Sequence, residues 1–154
     1  MLSEIEQFVN WVRRRSPEAR TWKDYSYDLR QFANLVGDPP PGAVTFHDID
    51  RFVSDQSQRG LKSTTINRRL ATIISLYTFL SDDDPSLVCP VLPRRHHLRE
   101  PQRLPRPVPE DHQARFFAAI EQMPPPKGEA DNRKRDRAMF VLMLRCGLRI
   151  GEIA

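Results

Sequence analysis

The chain has 154 residues, of which 39% are hydrophobic and 29% charged, with a net charge of +4. That length suits one ordinary domain, or a small domain and part of another. No apolar run approaches a membrane span, and the two cysteines, Cys89 and Cys146, stand too far apart and too isolated for a disulfide scaffold or a CxxC metal site. Met1–Arg15 carries its charge at the wrong end for a secretory signal, so a soluble cytoplasmic protein with reduced thiols is expected. Arginine outnumbers lysine by 20 to 4. Arginine suits bidentate phosphate recognition, although genome composition produces the same ratio. Residues 1–93 hold 11 basic and 12 acidic side chains, and residues 94–154 hold 13 and 8, so the positive charge lies in the second part.

Leu2–Arg15 is expected to be helical, with Ser3 and Glu6 at capping-box spacing and Ile5, Phe8, Val9 and Val12 on one stripe. Arg13, Arg14 and Arg15 fall in its last turn, where they favour the negative end of the helix dipole. Ser16-Pro17 has the form of a cap followed by proline at the first helical position, so a second helix is expected from there to about Val36. Trp22, Tyr25, Leu29, Phe32 and Val36 form its inner stripe, and Gly37 stops it. Lys23 and Thr21 lie near its start, where phosphates dock well. Thr45 and Asp48 open a third helix, with Phe46, Ile49, Phe52 and Val53 inward, which ends before Gly60.

Gly60–Leu80 is the organising stretch. Ile66, Leu70, Ile73, Tyr77 and Leu80 recur at steps of four and three, which draws one buried stripe. Ser63 is expected as its N-cap. The opposite face carries Lys62, Thr64, Thr65, Arg68, Thr72 and Ser75. Such a face is often merely solvated, but basic and hydroxyl side chains on a presented helix also suit a phosphate backbone and a major groove. No segment alternates like a strand, so residues 1–80 should be a compact helical bundle.

Seven of the 14 prolines fall between Pro85 and Pro109. Threaded through them are Arg94, Arg95, His96, His97, Arg99, Arg103 and Arg106. An extended linker is expected, either a bare tether or one that tracks a nucleic-acid backbone. His96-His97 has no further ligands at metal spacing, so no metal is expected. Helix resumes over Pro109–Met123, with Phe116, Phe117 and Ile120 inward. It breaks at Pro124–Gly128 and returns over Asp131–Cys146, strongly apolar from Ala138 to Leu144. That apolar stripe has no partner in the sequence, so residues 110–154 should be poorly soluble alone and look like the opening of a larger domain.

These residues resemble the tyrosine recombinases, or phage-type integrases. The likeness comes first from Thr21, Tyr25, Asp28-Leu29, Phe32, Thr45, Asp48-Ile49, Phe52, Gly60-Leu61, Ser63, Thr65–Leu70, Tyr77 and Leu80. It comes second from Arg135–Ala138 leading into Cys146-Gly147-Leu148-Arg149-Ile150-Gly151-Glu152-Ile153. The resemblance implies an all-α chain: a SAM-like core-binding bundle at 1–84, a basic proline-rich linker at 85–108, and the first helices of a truncated tyrosine-recombinase catalytic domain at 109–154. It implies breakage and rejoining of DNA through a 3′-phosphotyrosine, without cofactor, metal or small-molecule substrate. Double-stranded DNA at a recombination site and further recombinase protomers are the implied partners.

Arg149 corresponds to the first active-site arginine of that family and Glu152 to a supporting acid. The lysine, the later His-x-x-Arg and the tyrosine nucleophile have no counterparts, since the only tyrosines are Tyr25, Tyr27 and Tyr77. Cys89-Pro90 stands where the family often has Asn-Pro. The DNA contacts expected are Lys62, Ser63, Thr65, Arg68 and Thr72, then Lys23, Arg94 and Arg95. Two other readings remain open here: a non-catalytic DNA-binding regulator or integrase remnant, and a SAM-like protein-interaction module.

Overall fold

The computed structural model describes residues 1–101, 107–122 and 132–153. The chain divides into two compact units, Met1–Gln102 and Arg103–Ala154. Among the described residues all regular structure is helical.

In the first unit α1 (Leu2–Arg15) and α2 (Thr21–Val36) form an antiparallel pair. Phe8 stacks on Tyr25 at 5.6 Å, Arg30 lies 3.9 Å from Glu6, and Arg13 sits over the Trp22 ring at 5.0 Å. The expected early start of α2 at Pro17 is not observed. Ser16 to Ala19 closes a turn, with the Ala19 amide donating to the Ser16 carbonyl at 3.2 Å. The chain must reverse within a few residues to lay one apolar stripe on the other, and the proline serves that reversal.

Gly37 ends α2 in the left-handed region at φ 84°, where a Cβ is disfavoured. Asp38 follows at φ 55°, and its carboxylate accepts the Leu2 amide at 2.8 Å and lies 3.4 Å from the amino-terminal ammonium. So α1 is capped from the far end of α2. The Ser3/Glu6 box expected from spacing does not form, because the Ser3 hydroxyl donates to Glu4 instead. The Thr45/Asp48 box does form and opens α3 (Phe46–Gln58). The Thr45 amide and hydroxyl both donate to Asp48, at 2.9 and 2.8 Å. These bonds hold the Asp48 carboxyl below its usual range.

Helix α4 (Ser63–Ser81) is the centre and touches α1, α2 and α3. Its Ile66, Leu70, Ile73, Leu76 and Tyr77 are fully buried beside Ile5, Phe8, Leu29, Phe32, Ile49 and Phe52. Burying each large aliphatic or aromatic side chain contributes about 1.5–3 kcal/mol, so this one contiguous core supports the unit. The buried Tyr77 hydroxyl donates to the Pro41 carbonyl at 2.8 Å, which seats the 41–43 turn on α4. Burial pushes its pKa up. Lys62 rather than Ser63 occupies the N-cap, since its carbonyl accepts the first amide bonds of the helix, from Thr65 and Ile66.

The stretch expected as an extended linker is partly built into the first unit. Prolines exclude regular helix but not burial: Val91 is buried, and Leu87, Cys89 and Leu98 pack against the core. A short helix, α5 (Pro93–His96), lies on α3. Beyond it the Asn67 side chain on α4 holds Leu98 in both directions, donating to its carbonyl at 2.8 Å and accepting its amide at 2.9 Å. Arg103 and Arg106 of the basic cluster, and the expected break at Pro124–Gly128, lie outside the described residues.

The second unit holds α6 (Glu110–Gln122) and α7 (Arg133–Cys146). Phe116 meets Phe140 edge-on at 4.8 Å, and Arg137 pairs with Glu121. Ile120 is buried, but Phe116, Phe140, Val141, Leu142 and Leu144 remain exposed, because two helices cover only one side of each other. Gly147, at φ 68°, ends α7, and a 3-10 turn follows at Ile150–Glu152. Both cysteines are free. No helix among the described residues is long and apolar enough to cross a membrane, and no His/Cys/Asp/Glu group among them has the makings of a metal site.

Candidate nucleic-acid interface

The first turns of α4 present the polar face. Lys62 is exposed and has no acidic partner among the described residues. Ser63 and Thr65 are half-buried, one turn below Arg68. Arg68 is 50% exposed and is held by a two-pronged bond to Asp28 of α2: Nη1 to Oδ2 at 2.6 Å and Nη2 to Oδ1 at 3.1 Å.

Thr72 must be removed from the expected contact set. It is 1% exposed, and its hydroxyl donates to the Arg68 carbonyl at 3.2 Å. A helix packed on three others is buried over more than one stripe, and a threonine enters such a stripe by bonding its own backbone.

Behind Arg68 lies a polar layer that periodicity did not single out. Arg69 is buried, with its guanidinium donating to Gln56 of α3 and its Nε 3.4 Å from Asp28. The exposed ring of Tyr27 lies 5.7 Å from that guanidinium. Burial pushes the Asp28 carboxyl above its usual range, while the adjacent Arg68 and Arg69 pull it down. The signal for Arg69 was in its position, three residues after Ile66 and four before Ile73, on the inner side of the helix.

Lys23 is exposed and shares the Trp22 ring with Arg13, at 5.2 Å from the centroid. It stands one helical turn before Tyr27, whose ring lies by the Arg69 guanidinium. Arg94 and Arg95 belong to a different flank, over α3. Arg94 is exposed without an acidic partner among the described residues. Arg95 is engaged by Asp50: Nε and Nη2 reach its carboxylate at 2.9 and 2.6 Å, and the guanidinium covers Phe46 at 5.1 Å. This bond holds the Asp50 carboxyl below its usual range. Arg95 is therefore a staple between α5 and α3 before it is a free cation.

His96 completes that staple. It is buried, its Nδ1 accepts the Leu92 amide at 2.8 Å, and its Nε2 lies 3.3 Å from Asp50. A second proton must displace the Leu92 amide, and burial pushes the His96 pKa below its ordinary 6.5 while Asp50 pulls it up and Arg95 down. The folded state thus binds this proton less readily than the unfolded chain. Its contribution to stability is complete above pH 6.5 and is lost as pH falls from there toward the folded pKa. Thermal midpoints should therefore decline from pH 7.5 to 5 in the wild type and decline less in His96→Gln, a comparison that calorimetry makes directly.

In the second unit the Glu152 carboxylate accepts the Arg149 amide at 2.6 Å and lies 3.4 Å from its guanidinium. Arg149 is 86% exposed, so its remaining N–H groups face solvent. Glu152 acts as a cap for the turn that carries Arg149.

The family model "Phage integrase, N-terminal SAM-like domain" matches residues 5–83, about half of the chain and most of the first bundle. The chain is 30% identical to a tyrosine recombinase XerC of Chlorobaculum tepidum, over 96% of its own length and 49% of the relative's. It is 30% identical to a XerC of Staphylococcus carnosus, over 86% and 43%, and 27% identical to a tyrosine recombinase of Agathobacter rectalis, over 88% and 45%. The protein belongs to the tyrosine recombinase, or phage-type integrase, family. The chain spans about half the length of the curated relatives it matches. No solved structure matches it.

Proposed function

We propose that this chain is the DNA-binding portion of a site-specific tyrosine recombinase. Residues 1–84, with the stretch to Leu98 packed against them, grip duplex DNA, and residues 109–154 open the catalytic domain. The observation that carries the reading is Arg68: a half-exposed guanidinium, fixed on the central helix of a phage-integrase bundle, with Lys62, Ser63 and Thr65 on the turns before it. Lys23 and Arg94 extend the cationic surface. Thr72 contributes from inside by its packing.

Arg149 is the group that neutralises charge on the reacting phosphate, where a fixed guanidinium fork acts without reorganising. Glu152 holds its backbone. The nucleophilic tyrosine is absent from this sequence, so strand breakage and rejoining belong to the longer protein. Further recombinase protomers and a cytoplasmic setting go with that assignment.

Titrating a fluorescein-labelled duplex with the purified chain tests the reading. Binding near the 10⁻⁴–10⁻⁶ M typical of non-specific contact is expected at moderate salt, weakening steeply as salt rises, with no strand nicking. Absence of binding at 50 mM salt would instead favour a SAM-like protein-interaction module.

A further inference from the structure

Asp28 is an acid at the heart of a surface proposed to meet polyanionic DNA. It is 1% exposed, and both its oxygens face Arg68. Arg69 approaches the same carboxylate from the buried side, and its Nε has no hydrogen-bond partner. One carboxylate between two guanidinium groups leaves the trio with a net positive charge, so Asp28 does not neutralise the surface. The bond geometry decides what it does instead. Nη1 and Nη2 each give one N–H to Asp28, which occupies the end of the Arg68 fork. A guanidinium has five N–H donors, so the Nε–H and one outer N–H on each Nη are left. The edge formed by Nε and Nη2 can take a second anion without releasing the first.

We infer that Asp28 is a positioning residue for DNA binding: it holds Arg68 with its second edge turned outward, ready for a backbone phosphate. Arg69 and Gln56 fix Asp28 from behind, through the 3.4 Å approach of Nε and the bond from Arg69 to Gln56. The rotamer freedom of a long side chain is thereby lost on folding rather than on binding, which raises affinity. The inference rests on the proposed DNA-binding reading and specifies how its central residue works.

The sign of the effect separates this role from simple electrostatics. Removing an acid from a DNA-facing surface should tighten binding if charge alone mattered. Positioning demands the reverse. In anisotropy titrations of the full chain with a random-sequence duplex, Asp28→Asn should weaken binding about 3- to 10-fold, the factor associated with ordering one side chain. Arg68→Gln should weaken it as well and make the log–log salt slope shallower by about 0.9, one phosphate. Asp28→Asn introduced on top of Arg68→Gln should add less than about twofold, since no arginine remains to be positioned.

Tighter binding by Asp28→Asn, unchanged binding, or a weakening that persists without Arg68 would overturn the positioning role. Should Asp28→Asn fail to fold by circular dichroism, Arg68→Lys decides. It keeps the charge, but one ammonium cannot present two edges, so it should bind more weakly than wild type while retaining the wild-type salt slope; binding equal to wild type would overturn the inference. If the wild-type chain itself ignores DNA, the DNA-binding reading falls with it. If the wild type binds and Asp28→Asn binds as tightly as it does, only the role of Asp28 is lost.

Discussion

Phe32→Ala should lower the unfolding free energy of the first unit by about 3–5 kcal/mol, the usual result of emptying an aromatic site in a close-packed core. Phe32 is fully buried on α2 and meets Phe52 of α3 edge-on at 5.2 Å. That pair adds about 0.5–1.5 kcal/mol beyond buried area alone. The backbone around the site is fixed by the Gly37 turn and the Thr45/Asp48 box, so collapse into the vacated space is restricted. A domain of this size has about 5–15 kcal/mol in total. Urea titration followed by circular dichroism should show a midpoint displaced far to low denaturant. A shift of under 1 kcal/mol would mean that α2 and α3 do not pack as described.

Lys62→Glu together with Arg94→Glu should weaken DNA binding about 100-fold at 0.1 M salt and make the salt slope shallower by about 2, two phosphates' worth. Both side chains are exposed and lack acidic partners among the described residues, so each substitution deletes a phosphate contact and adds repulsion without breaking a native pair. Stability should hardly change, because exposed substitutions away from caps and cores cost little. At the N-cap of α4 a glutamate is even favoured by the helix dipole. Wild-type affinity in this variant would move the DNA-facing surface off Lys62 and Arg94, toward the α1–α2 end that carries Arg13 and Arg14.

The helices of the first unit could be read from apolar spacing, since Ile5 and Phe8, Leu29 and Phe32, Ile49 and Phe52, and Ile66 to Leu80 all face inward. Local capping rules succeeded where the partner was three residues away, at Thr45 and Asp48. They failed at α1, where the cap is Asp38, and no local rule reaches across 36 residues. A single-stripe reading of α4 put Thr72 outside and passed over Arg69, because it assumed one buried face for a helix that packs on three neighbours. Proline argues against helix, so local pattern reads the proline-rich stretch as an extended linker. Whether extended chain is buried depends on tertiary partners such as Asn67 and Asp50, which local pattern does not show. Arg68 stands out from its position on the polar face; its acidic partner Asp28, legible only as part of a motif, is joined to it by two bonds that span 40 residues.

The two tryptophans of the chain, Trp11 and Trp22, both belong to the first unit. Each lies beneath a cation: Arg15 is 4.7 Å from the Trp11 ring, and Arg13 and Lys23 are 5.0 and 5.2 Å from that of Trp22. Ultraviolet-excited indole emission therefore comes from the α1–α2 hairpin alone, and any anion that draws those cations off their rings changes its intensity or colour. The molecule carries its own unlabelled optical gauge of what happens at that end.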